Sequence, residues 1–259
     1  MQQHHLNNKK MEERYNRNRI YIKPKEQEKI RNFRIILGGA GIGSIIAECA
    51  LRIGFETITI VDGDKVEESN LNRQNYQLED VGKYKADCLA KRLLAINPNA
   101  RITAVNKFVD VDNVESLIKG HDIAINALDF KSDIPFVFDK ICSEKNISVL
   151  HPYNFGWAGF LAVVNPNGKT MQILSDKPLG FELKVADYVV GYQAFWMQPQ
   201  DWLNNVVKQY KKENGTLPPP QLSVASWITA GLCTTAMYKI ATGKPVKYFP
   251  NFYLSSIFL

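Results

Sequence analysis

Hydrophobic positions near the start of the chain change their period twice, and this change predicts a strand, a helix and a second strand. Residues 33–37 form a short β-prone apolar run, followed by a glycine-rich turn at 38–43. Apolar side chains then recur at helical spacing over 45–53, and Gly54 closes the helix. The next apolar run, at 57–61, completes a βαβ unit, which implies parallel strands with a right-handed crossover.

The alternation of strands and helices continues to the middle of the chain, where a different pattern follows. It predicts helices at 85–97, 111–119 and 134–145, and strands at 101–106, 122–129 and 147–151. Residues 159–175 then alternate on both sides of an Asn-Pro-Asn-Gly sequence, which predicts a β-hairpin. The second half of the chain is therefore expected to add antiparallel strands.

The last third of the chain has a less regular pattern. Residues 176–222 have weak periodicity and many aromatic side chains, and we interpret them as a long crossover segment. Residues 223–245 predict a helix rich in small side chains that ends at a glycine and a proline. Together the elements predict an α/β fold with a Rossmann-like, doubly wound and mostly parallel sheet extended by antiparallel strands. We expect residues 1–30 to form an N-terminal arm and residues 31–259 to form one domain.

Composition narrows the class of protein. The 259 residues, 45% of them hydrophobic, are enough for one large core, and no apolar run approaches the ~18 residues that a membrane span needs. The first 19 residues are polar and lack the apolar core of a signal peptide, so we expect a solvated arm and a cytoplasmic protein. The net charge of +6 suits an anionic substrate such as a nucleotide, but it is too weak to indicate nucleic acid.

The cysteines do not indicate a metal site. Cys49, Cys88, Cys142 and Cys233 form no C-x-x-C pair, so no structural zinc is expected. All four have apolar neighbours at helix-like positions, which predicts small core residues.

The glycine-rich turn "GGAGIG" is a weak indication of nucleotide binding when it is taken alone. The strand before it and the helix after it strengthen the case, because Gly39, Gly41 and Gly43 let backbone N–H groups approach a phosphate at a helix N-terminus. Asp62 lies about 20 residues further on, where a ribose-binding acid belongs, and Asp64 follows it. A dinucleotide and ATP both fit these residues.

Two cations and another acid favour ATP. Arg73 lies in "NLNRQ", Lys85 precedes a predicted helix, and Asp129 ends a predicted parallel strand. Because ligands bind beyond the carboxyl ends of such strands, Asp62, Arg73, Lys85 and Asp129 can converge at one edge. This combination suits a triphosphate with Mg²⁺.

Each of these side chains also has a structural interpretation. Lys85 could be a solvated lysine at the start of a helix, and Asp129 could cap a helix. Arg73 could pair with Glu67 or Glu68. Their joint occurrence favours the nucleotide site over these separate explanations.

Five stretches of sequence, in a fixed order, resemble a known family. They are "RYNR" (14–17), "GGAGIG" (38–43), "VDGDKVEESNLNRQ" (61–74), "VGKYKAD" (81–87) with "INPNA" after it, and "NALDF" (126–130). The combination resembles the ThiF/MoeB/HesA family, relatives of ubiquitin-activating enzymes, over roughly residues 12–245. The resemblance implies an ATP-dependent adenylyltransferase, with an adenylation domain over the region after the arm.

The resemblance also implies a role for each candidate residue. Asp62 holds the adenosine ribose, with Asp64 beside it, and Asn70 and Arg73 contact phosphates. Lys85 contacts the α-phosphate, and Asp129 is linked to magnesium.

A further implied residue belongs to a second subunit. Arg17, the last residue of "RYNR", reaches the ATP of the neighbouring subunit in the family, so a homodimer is implied. Three features depart from the family pattern: Ala40 replaces a fingerprint glycine, the paired C-x-x-C zinc site is absent, and residues 176–222 contain no cysteine. A coupled thioester step is therefore not expected.

Four functions remain open from the sequence. The first choice is activation of the C-terminus of a ubiquitin-like protein or peptide as an acyl-adenylate. The alternatives are activation of a small-molecule or tRNA-linked carboxylate, a NAD(P)-binding oxidoreductase, and a non-catalytic dimeric scaffold. Retention of Arg17, Arg73, Lys85 and Asp129 argues against the scaffold.

Overall fold

Within residues 13–213 and 217–258, the part of the chain that this computed structural model describes, seven strands form one sheet. In chain order the elements are α1 (Pro24–Asn32), β1 (Arg34–Gly38), α2 (Gly43–Ile53), β2 (Thr57–Val61), α3 (Lys85–Ile96), β3 (Arg101–Val105), α4 (Val114–Ile118), β4 (Ile123–Asn126), α5 (Ile134–Glu144), β5 (Ser148–Asn154), β6 (Gly159–Val164), α6 (Phe181–Phe195), α7 (Asp201–Lys212), α8 (Ser223–Ala241) and β7 (Phe252–Ser255). Strands and helices alternate from β1 to β5, as the hydrophobic periods predicted.

The strand order is β3-β2-β1-β4-β5-β6-β7, and the order changes direction at β1. Strands β1 to β5 are parallel, whereas β6 and β7 each run antiparallel to the strand before them in the sheet. The predicted α/β fold, a mostly parallel sheet extended by antiparallel strands, is confirmed. The point where β1 meets both β2 and β4 is where such sheets open a crevice for a ligand.

Helices cover both faces of the sheet, so alternate residues of a strand point into two separate cores. In β1, Ile35 and Leu37 belong to the core under α2, α3 and α8, whereas Ile36 belongs to the core under α4, α5 and α6. All three side chains are at most 1% exposed. Burial on both faces explains why the parallel strands are continuous apolar runs in the sequence.

The prediction of a β-hairpin around residues 165–168 is wrong, although the chain does form a turn there. The N–H group of Gly168 donates to the carbonyl of Asn165 at 2.9 Å, but the chain then enters the 3-10 turn Met171–Leu174 rather than a strand. The place beside β6 is taken by β7, from the far end of the described chain. Local alternation could not identify a strand partner so distant in sequence.

The crossover segment contains two helices that the weak periodicity did not predict. In α6, Phe181 and Val185 are buried, but Phe195 at the end of the helix is 77% exposed. Apolar side chains on more than one face leave no clear period of 3.6. Among the helices that the structure describes, none combines the length and the hydropathy that crossing a bilayer requires.

Part of the N-terminal segment packs on the rest of the fold. Tyr15 is 5% exposed, and its hydroxyl donates to Glu56 at 2.9 Å. The side-chain amide of Asn18 donates to the carbonyl of Ile53 at 3.0 Å. The expectation of a solvated arm is therefore wrong at Tyr15, while residues 1–12 lie outside the described part of the chain.

A buried carboxylate on α2 connects three other positions. Glu48 is 3% exposed and accepts hydrogen bonds from Arg92 at 2.6 Å and Arg52 at 2.7 Å, as well as from the side-chain amide of Asn75. Burial alone would raise the pKa of Glu48, but these partners outweigh burial, so its pKa lies below the ordinary value. The packing of this region therefore depends on the charged form of Glu48.

We expect Glu48→Gln to lower the free energy of unfolding at neutral pH by about 2 kcal/mol, since it removes hydrogen bonds between charged groups. A carboxylate with a lowered folded-state pKa stabilises the protein above its unfolded-state pKa and loses that effect as pH falls through the folded-state value. The difference in free energy of unfolding between wild type and variant should therefore become smaller as the pH falls below 4.5, the ordinary pKa of a glutamate.

Urea denaturation at a series of pH values measures this gap. Glu28→Gln, at an exposed position on α1, is the matched control and should behave as wild type throughout. A gap that stays constant down to the acid unfolding transition would contradict the assigned role of the Glu48 charge.

Candidate functional site

The glycine-rich turn joins β1 to α2 at the carboxyl edge of the sheet. Gly39 has φ +95°, and a Cβ atom there would lie 2.3 Å from the carbonyl oxygen of Ala127, in the turn after β4. Gly41 differs, because a Cβ atom there would meet only the flexible side chain of Gln74, at 3.4 Å. Packing therefore explains the glycine at Gly39, whereas the neighbour of Gly41, just before the N-terminus of α2 at Gly43, is a flexible side chain that a ligand could move aside.

Asp62, which follows β2, fixes the same turn. Its two carboxylate oxygens accept the backbone N–H groups of Ala40, at 2.6 Å, and Asp64, at 2.7 Å. Burial raises the pKa of Asp62, and these N–H groups together with the charge of Lys85 oppose that shift. The methyl group of Ala40 is fully buried, so it takes no room from a ligand above the turn.

Lys85, the first residue of α3, is buried rather than solvated. The residue is 8% exposed, and its ammonium lies 3.3 Å from a carboxylate oxygen of Asp64, whose side chain is 48% exposed. The Lys85 N–H group also donates to the Asp64 carbonyl at 2.9 Å. The structure thus places a cation with little water around it against an acid that water can still reach.

Arg73 is half-buried and held by three neighbours. Its guanidinium donates to the carbonyl of Ser69 at 2.9 Å, to the side chain of Asn72 at 2.8 Å, and to the side-chain oxygen of Gln221. Burial lowers the pKa of Arg73, and the nearby charge of Asp129 opposes that shift. Arg73 and Asp129 are therefore close enough for their charges to interact.

Asn70 shapes the loop that carries Arg73. It is 6% exposed, and its side-chain oxygen accepts the N–H group of Glu67 at 3.0 Å, while its carbonyl accepts the N–H group of Arg73 at 3.2 Å. The guanidinium of Arg73 thus bonds within its own loop and to Gln221 instead of pairing with Glu67 or Glu68.

Asp129 is exposed and lies beyond the end of β4, since that strand stops at Asn126. Its carboxylate is 3.1 Å from the ammonium of Lys131. It does not cap α5, because Asp133 occupies that position. The predicted strand to residue 129 was therefore too long, and Asp129 belongs to the connecting loop at the carboxyl edge.

Nothing in the sequence indicated that two further residues would lie near this edge. Gln221, just before α8, holds Arg73 from the far side of a long crossover. Glu182, in the first turn of α6, lies beside Asp129 and Phe130: burial raises its pKa, and the charge of Asp129 adds to that shift. Both positions come from segments whose periodicity was weak, so only the folded chain brings them to the site.

Arg17 lies at the opposite edge of the sheet from these residues. It is exposed in the short 3-10 turn Asn16–Asn18, next to Tyr15, which bonds to Glu56 at the amino end of β2. The five residues of β2 separate its two ends by about 13 Å. Within one chain, Arg17 is therefore not brought to the other candidate residues.

The four thiols lie on helices, as predicted. Cys88, Cys142 and Cys233 are buried and Cys49 is half-buried. Burial raises the pKa of each thiol, that of Cys88 to about 11. Thiols with raised pKa values are protonated near neutral pH and are poor nucleophiles.

The donors at this edge suit a magnesium ion shared with a nucleotide. In the described part of the chain, no group of three or more His, Cys, Asp or Glu side chains could hold a metal by itself. Magnesium in nucleotide sites takes one or two carboxylates together with phosphate oxygens and water. Asp129, an exposed carboxylate whose charge acts on Arg73, fits that pattern.

Comparison with known sequences shows which proteins this chain resembles. The profile described as the ThiF family matches residues 15–257. The tRNA threonylcarbamoyladenosine dehydratase of Escherichia coli is 42% identical over 96 residues, 36% of this chain and 36% of that protein. The sulfur carrier protein ThiS adenylyltransferase of Bacillus subtilis is 34% identical over 143 residues, 48% of this chain and 43% of that protein. The matched regions span less than half of either relative.

Solved structures share the fold. A crystal structure of the tRNA N6-threonylcarbamoyladenosine dehydratase of Escherichia coli in complex with ATP has a TM-score of 0.65 and 21% sequence identity. The match covers 90% of this chain and 95% of that chain. At this identity the similarity establishes the α/β architecture alone.

Proposed function

Because this chain belongs to the ThiF family, as the match over residues 15–257 shows, we propose that it is an ATP-dependent adenylyltransferase. Its reaction joins a substrate carboxylate to the α-phosphate of ATP and releases pyrophosphate. The observation that supports this most is the arrangement at the carboxyl edge of the sheet, where the glycine-rich turn lies with a buried Lys85, a half-buried Arg73 and an exposed Asp129.

Each polar side chain at this edge has a role in the proposal. Asp62 accepts hydrogen bonds from ribose hydroxyls with the lone pairs that its two backbone partners leave free. Arg73 and Asn70 contact phosphates, and Lys85 holds the α-phosphate. Asp64, the present partner of Lys85, has a side chain that is 48% exposed, so a phosphate can replace it at little cost.

Asp129 would hold the magnesium ion of the nucleotide together with phosphate oxygens. The ion supplies positive charge where the triphosphate accumulates negative charge. Lys131, which now pairs with Asp129, is 86% exposed in its side chain, so release of Asp129 costs little.

The reaction needs no nucleophile from the protein. An oxygen of the substrate carboxylate attacks the α-phosphorus, the bond to the bridging oxygen breaks, and pyrophosphate leaves with the electron pair. Charge develops on phosphate oxygens, where Lys85 and Arg73 are already held in place by the fold. Stabilisation by such preorganised donors is the main contribution that this chain's residues make.

The substrate proposed first is the C-terminus of a ubiquitin-like protein or a peptide. The similarity to an enzyme that adenylates a sulfur carrier protein supports a protein substrate. The similarity to a tRNA threonylcarbamoyladenosine dehydratase supports the alternative, a tRNA-linked or small-molecule carboxylate. Binding of NAD(P)H without binding of ATP would favour an oxidoreductase over both.

A homodimer completes the proposed site. Arg17 cannot reach the site of its own subunit, and the exposed Ile20 and Tyr21 beside it, 90% and 84% exposed, are apolar surface that a second subunit would cover. In this proposal the N-terminal segment, including residues 15–21, supplies Arg17 to the partner's ATP, in the manner of an arginine finger.

Lys85→Ala should lower carboxylate-dependent ATP–pyrophosphate exchange by about 100-fold or more, because it removes one preorganised donor to the α-phosphate. Affinity for ATP should fall less. Lys91→Ala, at an exposed position on the same helix, is the control and should keep wild-type exchange. Exchange that is unchanged in Lys85→Ala, with a verified substrate, would show that the assignment of Lys85 is wrong.

The role of Arg17 is tested by mixing two inactive proteins. A heterodimer of Arg17→Ala and Lys85→Ala subunits contains one site with both residues intact, so random exchange of subunits should restore about a quarter of wild-type activity. Arg19→Ala, which removes a neighbouring exposed cation, should be active alone. A protein that is monomeric and fully active at working concentration would exclude the shared site.

The activated carboxyl group should leave as the adenylate or pass directly to a second substrate, without a covalent enzyme intermediate. The raised thiol pKa values support this. A folded variant with all four cysteines replaced by alanine or serine should keep adenylation and overall turnover. Intact-mass spectrometry after incubation with ATP and substrate should detect no thiol-sensitive adduct, whereas an adduct mapped to one cysteine would contradict the prediction.

A further inference from the structure

A buried polar cluster lies beneath the loop that carries Asp129, and the proposed reaction does not use it. Asp139 on α5 is 5% exposed, Asn126 at the end of β4 is 4% exposed, and His151 on β5 is 1% exposed. The Asn126 amide donates to Asp139 Oδ1 at 2.8 Å, and His151 Nε2 lies 3.0 Å from Asp139 Oδ2. Three elements are thus joined through one carboxylate.

Asn126 connects this cluster to the loop. Its amide nitrogen also donates to the carbonyl of Pro135 at 2.8 Å, and its side-chain oxygen accepts the N–H group of Leu128 at 3.4 Å. Leu128 immediately precedes Asp129. Ala127, which lies between Asn126 and Leu128, is the residue whose carbonyl is close to Gly39. The orientation of the Asn126 side chain therefore determines the path of the backbone that leads to Asp129 and supports the glycine-rich turn.

The cluster is costly for stability, so stability alone does not explain these residues. A buried carboxylate and imidazole must be removed from water, and apolar side chains of similar size often stabilise a core as well or better. Both ring nitrogens of His151 are also buried without a hydrogen bond in the described part of the chain, so Nε2 faces Asp139 Oδ2 as a close polar contact and not as an aligned donor. Such unfavourable groups persist most often where they hold a functional site in place.

We propose that Asp139 is a positioning residue for Asp129: through Asn126 it fixes the backbone that presents the Asp129 carboxylate, and His151 holds Asp139 in place. The inference rests on the proposed function for the role of Asp129 in adenylation. The fixed position of the loop itself is independent of that function, so the two parts can be tested separately.

Hydrogen exchange followed by mass spectrometry tests the loop directly. Asp139→Asn preserves shape but removes the carboxylate, so peptides covering residues 126–131 should exchange faster than in wild type, while peptides covering β2 should not change. Cys142→Ala, one turn further along α5 and fully buried, is the control for a general loss of packing. Wild-type protection of 126–131 in Asp139→Asn would overturn the proposal.

His151 provides a second route if Asp139→Asn does not fold. His151→Gln retains a polar group that can face Asp139 and should keep the wild-type protection of 126–131. His151→Leu removes the polar contact with Asp139 and should increase exchange there, as Asp139→Asn does. Equal protection in the two His151 variants would overturn the part of the proposal that concerns His151.

A double-mutant cycle tests the link to Asp129. Asp139→Asn should lower kcat for ATP–pyrophosphate exchange by about 10-fold or more, as loss of a partner behind a metal ligand does, and raise the magnesium concentration needed for half-maximal rate. In the Asp129→Asn background, Asp139→Asn should have no further effect on kcat. Cys142→Ala should leave kcat and the magnesium requirement unchanged.

The outcomes separate the inference from the proposed function. If Lys85→Ala and Asp129→Asn lower exchange but the effects of Asp139→Asn and Asp129→Asn are additive, the positioning role fails and adenylation stands. If the loop loses protection as expected but no carboxylate supports exchange in wild type, the positioning of the loop stands and the proposed function fails.

Discussion

The close approach of two turns at the carboxyl edge of the sheet is the contact on which the candidate site depends. Gly39 after β1 and Ala127 after β4 are so near that a Cβ atom on Gly39 would lie 2.3 Å from the Ala127 carbonyl oxygen. Only a residue without a side chain allows this contact, because the neighbour is backbone and cannot rotate away. The contact brings the glycine-rich turn against the loop that leads to Asp129. Any larger residue at Gly39 would separate them.

Hydrogen bonds on the other side of the turn fix it to the loop of Arg73. The Ser44 hydroxyl donates to the Gly41 carbonyl at 2.7 Å and accepts the N–H group of Asn75 at 3.0 Å. The Asn75 side chain in turn donates to Glu48. Ser44 and Glu48 of α2 therefore hold both the backbone and the side chain of Asn75. Arg73 lies two residues before Asn75 in the same loop. The chain's own contacts thus hold Arg73 in place, and donors held in this way can stabilise charge without reorganisation.

The features that the sequence predicted involve residues close together along the chain, whereas the features that it missed join residues far apart along the chain. The βαβ unit, the turn "GGAGIG" and the acid Asp62 follow from periods and spacings within about 30 residues of chain. The sequence did not predict the pairing of β6 with β7, the bond from Gln221 to Arg73, or the contact of His151 with Asp139. Each of these joins segments whose own composition has no feature that requires the other. Burial of Lys85 was missed for the same reason, since its environment comes from residues on several elements.

The surroundings of Arg17 differ from those of Lys85 and Arg73, and this difference affects how strongly each cation can bind a phosphate. Lys85 is buried and Arg73 is half-buried, and their partners are one accessible carboxylate and neutral oxygens, so a phosphate gains strong contacts with both. Arg17 is exposed at the opposite edge and has no such environment among residues 13–213 and 217–258 of its own chain. An exposed arginine gains comparable strength only when a second surface removes it from water. If the proposed homodimer forms, assembly itself converts Arg17 from a solvated cation into a donor, and the adenylation site becomes dependent on the interface.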